Sequence, residues 1–278
     1  MTINWYPGHM VKARREIQGN LKLVDIVTML VDARAPQSCR NPDLEELVQR
    51  RQIIYIFNKS DLADETAMKA SLRAFKDQGL SAVAVDSITG RGMAEVIRAM
   101  QNAFSATKAD LLRRGRRVRA MRVMVVGVPN VGKSTFLNKL VGKKIALTGA
   151  KPGVTRGQQW VRLREDIELM DTPGLMWPRV DTERQGLNLA LLDIVGERSY
   201  QEEEVALYLI RYLREHHPET FIQRFQLQEL PAEDVELLKA IAGRRGHRLK
   251  GDWPDTEKTC RVLLHEFRRG KLGRFSLE

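Results

Sequence analysis

Eight consecutive residues, Gly127-Val128-Pro129-Asn130-Val131-Gly132-Lys133-Ser134, fit the pattern G-x-x-x-x-G-K-[ST]. The two glycines let the backbone bend until successive N–H groups point at phosphate oxygens, and the start of the following helix adds a favourable dipole. Lys133 reaches the β- and γ-phosphates and the Ser134 hydroxyl ligates Mg²⁺. Asn130, Val131, Gly132, Lys133, Ser134 and Thr135 are therefore the expected phosphate-side contacts. Upstream, Asn58-Lys59-Ser60-Asp61 reads N-K-x-D. A carboxylate at Asp61 can accept from both N1–H and the 2-amino group of guanine, whereas adenine offers an acceptor at N1 and no amino group there. Asn58 can bond the base edge and tie this loop to the phosphate loop. Lys59 can lay its methylene stem over the purine face. Asp86 and Ser87 lie where a second base-side loop would present a backbone N–H to guanine O6. Finally, Asp171-Thr172-Pro173-Gly174 reads D-x-x-G: Asp171 holds Mg²⁺ through water and the Gly174 N–H meets the γ-phosphate. Thr155, in a Gly-, Lys- and Thr-rich stretch over 143–157, can close over the ion and the γ-phosphate.

These loops need rigid strands to hold them. Residues 25–31, 53–57, 82–85 and 123–126 are short apolar runs that read as buried parallel strands, each followed by one of the chemical stretches or by Asp32-Ala33-Arg34. Helical patterns fall between them at 12–23, from Asn41-Pro42 to residue 50, at 93–104 and at 135–141. Residues 161–163 and 167–170 read as a strand pair. Alternation of this kind predicts a mostly parallel sheet flanked by helices, with ligand contacts on loops at the C-terminal ends of the strands.

The order of the motifs is unusual. In ordinary GTPases the phosphate loop comes first, then the switch Thr, D-x-x-G, N-K-x-D and the base loop. Here the last two come first and the cyclic order is kept, so the sequence reads as a P-loop GTPase domain with circularly permuted motif order. Together with Trp5-Tyr6-Pro7-Gly8-His9-Met10 and Asp32-Ala33-Arg34, this arrangement resembles the YlqF/YawG family of circularly permuted GTPases. The resemblance implies binding to precursors of the large (50S) ribosomal subunit and a role in its late assembly, with hydrolysis stimulated by the particle. It also implies K⁺ at Asn130 beside the phosphates, in addition to GTP/GDP and Mg²⁺. In the rotated order, the segment that senses the γ-phosphate runs directly into the C-terminal part, so loss of that phosphate can move a domain and not only a loop.

Leu175 follows the D-x-x-G glycine, where Ras-like enzymes carry a water-orienting Gln. A Leu cannot bond the nucleophile, so the isolated protein is expected to hydrolyse slowly. His9 is the candidate for positioning water as a neutral imidazole acceptor; the alternative is that it only buttresses the N-terminal turn. Lys133 and Thr155 complete the expected catalytic set.

The 278 residues accommodate a first domain over 1–180 and a second over 181–278, the latter a small all-α domain with helices at 184–195, 202–216, 232–242 and 256–269. Net charge is +11, with 30 Lys/Arg against 17 Asp/Glu in 1–180 (net +13) and 16 against 18 in 181–278 (net −2). Within the latter, 244–274 carries 10 basic and 4 acidic residues, net +6. The polyanion this suggests is RNA, met by 107–122, by 244–250 and by 268–274, although 107–122 reads equally as a solvated helix. Without an RNA-reading signature, recognition by shape is expected. Cys39 and Cys260 lie far apart, which argues against disulfides or a zinc site. No signal peptide, transit peptide or membrane-length apolar run is evident, so a monomer in the cytoplasm is expected. The alternative function is a guanine-nucleotide binding switch with negligible turnover that regulates a protein partner; Leu175 fits that reading and the concentration of Arg fits it poorly.

Overall fold

The computed structural model describes residues 8–142, 160–172, 174–176, 180, 182–196 and 199–278, with side chains from 11 onward. Strand β1 (Ile26–Asp32) is buried at every position, the pattern of a strand covered on both faces. With β2 (Gln52–Asn58), β3 (Ser81–Val85), β4 (Met121–Gly127), β5 (Trp160–Arg164) and β6 (Ile167–Asp171) it forms a six-stranded sheet of order β3-β2-β1-β4-β6-β5. All neighbours are parallel except β5 against β6. β5 is also the strand with the most exposed residues at alternate positions, as befits an antiparallel edge.

Register decides where the chemistry gathers. Asp32 lies opposite Asn58, Asn58 opposite Val85, Leu30 opposite Gly127, and Val125 opposite Asp171. The C-terminal ends of β1, β2, β3, β4 and β6 therefore open along one edge of the sheet. From β1 the chain builds β2 and β3 on one side and β4 on the other, which makes the β1/β4 boundary a topological switch point.

Some helices start where short polar side chains cap them. Asn41 accepts from the Leu44 N–H ahead of α2 (Pro42–Val48), and Asp64 accepts from Ala67 ahead of α3 (Glu65–Asp77). The first helix, α1, spans Gly8–Asn20. Helix α4 (Met93–Arg113) runs well past the expected end at 104. Ala106, Ala109, Leu111 and Leu112 are good helix formers, and Asp110 pairs with both Arg113 and Arg114 at its end. α5 (Lys133–Val141) starts at the lysine of the phosphate loop.

The chain divides into two compact units, one of residues up to Val180 together with Phe275–Glu278, the other Asp181–Arg274. The expected 181–278 domain thus loses its last four residues to the first unit, where Phe275 and Leu277 are buried. The second unit is helical: α6 (Glu183–Leu191), α7 (Glu202–His216), α8 (Glu219–Phe225), α9 (Asp234–Arg245) and α10 (Thr256–Arg268). α8 was not expected. It is a short helix of 7 residues between Pro218 and Gln226, whose left-handed φ of 52° ends it, too short to show a period. α6 stops at Leu191 instead of 195 because Asp193 takes a left-handed φ of 60°. Val205, Leu209, Leu213, Leu263 and Phe267, the expected apolar stripes, are all buried. Beside them Glu266 is held by Arg224 through two bonds of 3.0 and 2.9 Å and by Arg245 at 2.8 Å, so this largely buried carboxylate has two cations to offset its desolvation. Cys39 and Cys260 are buried free thiols, and no helix among the described residues is long and apolar enough to cross a membrane.

Candidate active site

β4 delivers Gly127 and residues 128–132 turn back into α5. Gly132 has φ +99°, and a Cβ there would sit 2.4 Å from Asn58 Nδ2, so conformation and space both require glycine. Lys133 is buried, and its ammonium donates to the carbonyls of Val128 (2.9 Å) and Gly127 (3.3 Å), lying back across the loop. Burial pushes the Lys133 ammonium down to about 8, opposed by the charge of Asp171. Burial pushes the Asp171 carboxyl up, opposed by Lys133. Both Asp171 oxygens are buried without a hydrogen-bond partner among the described residues.

That orphaned carboxylate, with Ser134 in the first turn of α5, is a set of hard oxygen donors of the kind Mg²⁺ takes. Among the described residues no group of three or more His, Cys, Asp or Glu could hold a metal. An ion here would therefore draw its other ligands from phosphate oxygens and water, as Mg²⁺ does in nucleotide sites. Gly174 brings D-x-x-G to the same place: a Cβ on it would lie 2.9 Å from Pro129 and 3.0 Å from Lys133 Nζ.

The base side meets this loop through two ties. Asn58 Nδ2 donates to Val131 O (2.8 Å) while its Oδ1 accepts from Ser87 Oγ (2.6 Å). Lys59, at a left-handed φ of 59°, donates to Asn130 O (3.0 Å), so its methylene stem spans from one loop to the other. Asp61 is half-buried and has no hydrogen-bond partner among the described residues, on a turn closed by Leu62 N–H to Lys59 O (3.0 Å). Asp86 shapes its own loop: its carboxylate accepts from the Ile88 and Thr89 N–H groups and the Thr89 hydroxyl. Burial raises its pKa, but these bonds and Arg91 prevail and hold it below the usual range. Asn58→Ala would leave the Val131 carbonyl and the Ser87 hydroxyl without their partner, and GDP affinity is expected to fall about 10- to 100-fold, from the roughly 1–3 kcal/mol cost of such an orphaned group. Equilibrium titration with a fluorescent GDP measures this.

The sequence did not disclose what Asp32 and Arg34 do beyond ending a buried strand. Asp32 is fully buried and takes a fork from Arg34 Nε (2.9 Å) and Nη2 (2.8 Å) and a third contact from Lys59 Nζ (3.0 Å). Burial opposes ionisation of Asp32, yet the Arg34 and Lys59 charges and hydrogen bonds hold its carboxyl well below the usual range. The readable signal was an acid and a base two residues apart at the end of an otherwise apolar strand. Leu175 is 2% exposed, with its N–H donating to Gly127 O (3.2 Å) and its carbonyl accepting from Asn41 Nδ2 (3.0 Å). Its side chain belongs to the core and offers nothing to a water molecule. Thr155 and the side chain of His9 lie outside the described residues.

The basic stretches are only partly available. In the first unit Arg119 forks onto Asp25 (2.7 and 2.8 Å), and Arg122 pairs with Glu168 (3.1 Å) and covers the Trp160 ring. Lys108, Arg116 and Arg117 are exposed with no acidic partner among the described residues. In the second unit, Arg248 and Pro254 bridge a small antiparallel turn that lifts Trp253 to 71% exposure. Arg244 and Lys250 nearby in sequence are exposed with no acidic partner among the described residues, while Arg245 and Arg248 are paired with Glu266 and Asp252. Trp253 was missed because an isolated aromatic has no period.

A mostly parallel sheet whose N-K-x-D loop precedes its G-x-x-x-x-G-K-S loop in the chain and is tied to it in space has the arrangement of a circularly permuted P-loop GTPase. The family described as 50S ribosome-binding GTPase matches residues 122–241. Ribosome biogenesis GTPase A of Priestia megaterium is 43% identical over all of this chain and 97% of its own length. Mitochondrial ribosome-associated GTPase 1 of Mus musculus is 33% identical over 99% of this chain and 89% of its own. A crystal structure of GNP-bound YlqF from T. maritima superposes with a TM-score of 0.67 at 28% identity, covering 96% of this chain and 97% of that one. The chain belongs to the ribosome biogenesis GTPase A (YlqF) family.

Proposed function

We propose that this protein hydrolyses GTP to GDP and phosphate as an assembly factor of the large ribosomal subunit, acting as a monomer in the cytoplasm on a precursor particle of rRNA and protein. The observation that carries the nucleotide part is the pair of ties, Asn58 to Val131 and Lys59 to Asn130, that join base loop and phosphate loop into one cleft. In this reading Lys133 leaves the loop carbonyls for the β- and γ-phosphates. Asp171, Ser134 and Thr155 would hold Mg²⁺, and K⁺ beside Asn130 would neutralise charge developing on the phosphates. The names of the relatives support the ribosomal part, as does the surplus of cations in 1–180. The buried Leu175 leaves the nucleophile unattended, so His9 and the particle are assigned the task of ordering it.

Arg244, Lys250 and Trp253 supply two cations and an exposed ring, a combination suited to phosphates and an unstacked base. Addition of large subunits is expected to raise hydrolysis at least tenfold, the direction taken by other GTPase activators. The double variant Arg244→Glu, Trp253→Ala is expected to lose most of that stimulation and keep the unstimulated rate. Absence of stimulation in the native protein would favour the binding-switch reading, for which the buried Leu175 speaks.

A further inference from the structure

The last four residues of the chain, Phe275–Glu278, belong to the nucleotide-binding unit although residues 181–274 separate them from it in sequence. They are held there at both ends. The Phe275 N–H donates to Leu62 O (3.1 Å), the residue whose own N–H closes the turn that presents Asp61. The Leu277 N–H donates to Arg34 O (2.7 Å), and Glu278 accepts from the Gln37 N–H (2.8 Å), the Ser38 N–H (2.8 Å) and the Ser38 hydroxyl. Phe275 and Leu277 are buried between these contacts. The segment therefore crosses two loops, the one after β2 that carries N-K-x-D and the one after β1. The second loop reaches the base side as well, since Arg34 forks onto Asp32, which pairs with Lys59, which bonds Asn130 of the phosphate loop.

We propose that Phe275–Glu278 is a strap that positions the guanine-reading loop, and that nucleotide retention depends on it. The proposal rests on the guanine-nucleotide reading of the cleft. The strap acts through Leu62 and through the Arg34, Asp32 and Lys59 chain. Because the strap continues directly from Arg274, a partner that draws on the helical unit has a covalent route to the base loop as well as to the segment after D-x-x-G. Loosening the strap then speeds GDP loss, a linkage that works in both directions: bound GDP tightens the strap.

The test uses the full chain and two variants, Glu278→Ala and a chain ending at Arg274, each loaded with a fluorescent GDP and chased with excess GDP. Glu278 is exposed, so its replacement does not open the core. GDP dissociation is expected to rise about three- to tenfold in Glu278→Ala and more in the shortened chain, the fold-change that loss of one or more charge-assisted bonds predicts. Competition with inosine diphosphate, which lacks the 2-amino group that Asp61 reads, separates positioning from general loosening. The preference for GDP over inosine diphosphate is expected to shrink in Glu278→Ala, whereas a merely structural contact would leave that ratio unchanged. A native ratio in Glu278→Ala overturns the proposal, with or without a faster off-rate and whatever the shortened chain does. Failure of the native protein to prefer guanine nucleotides would instead remove the reading on which the strap depends.

Discussion

Asp61→Asn is expected to exchange the base preference of this protein from guanine to xanthine. The Asp61 carboxylate sits half-buried at the end of β2, on the turn closed between Leu62 and Lys59, with no hydrogen-bond partner among the described residues. A carboxylate only accepts, and guanine presents two donors side by side, N1–H and the 2-amino group. An amide keeps one acceptor for N1–H and turns a donor toward the amino group, leaving two donors facing each other. Xanthine carries a carbonyl at that position and matches the amide. A site built to bond a particular group discriminates steeply because a mismatch strands polar atoms in a partly dry cleft. GDP affinity is therefore expected to drop about 10³-fold while xanthosine diphosphate becomes the tighter ligand. Competition titrations with both diphosphates measure the exchange. Unaltered GDP affinity in Asp61→Asn would mean that Asp61 does not face the base.

Gly174→Ala separates the other half of the site. The substitution adds one carbon where the phosphate loop stands close. Space is what forbids it: the added carbon would stand 2.9 Å from Pro129 Cα and N and 3.0 Å from Lys133 Nζ, inside the distances that real Cβ atoms keep. Pro129 belongs to the backbone of the phosphate loop and cannot swing aside as a flexible side chain would. The D-x-x-G segment must then retreat, and its N–H can no longer share the γ-phosphate with Lys133. Hydrolysis is expected to fall about 10²- to 10³-fold, the usual consequence of withdrawing one preorganised donor from developing charge. GDP affinity is expected to stay within about threefold, because the base loop hangs on β2 and its ties reach Asn130 and Val131 instead of Gly174. Single-turnover hydrolysis beside GDP titration reads both. Hydrolysis within threefold of native would show that the close approach has no part in turnover.

Much of the site was legible because its parts are local. A phosphate loop needs glycines, a lysine and a hydroxyl within eight residues, and N-K-x-D needs four, so each can be recognised without knowing where the chain goes next. The strands were legible for the same kind of reason: β1, β2 and β4 are nearly continuous apolar runs, and such runs between helical patterns pack as parallel strands. The helices were less sharply drawn. α4 outran its expected end because ion pairs with Asp110 stabilise a stretch that composition alone allowed to be a linker, and α8 is too short to show a period.

Long-range contacts were the part that local pattern does not record. That Asn58 is a strut between Ser87 and Val131 depends on residues 29 and 73 positions away in the chain, and register, not motif, brings them together. Asp32 could have been a surface acid; only its burial between Arg34 and Lys59 makes it part of the base side. The strap is the extreme case, since Glu278 meets Ser38 across 240 residues and nothing in Phe275-Ser276-Leu277-Glu278 announces a partner. Residue types thus settled which chemistry this chain can perform, because reactive groups are properties of side chains. Folding alone decided which of those groups face one another, because hydrogen bonds and buried ion pairs between distant segments form only when the sheet places their loops at one edge.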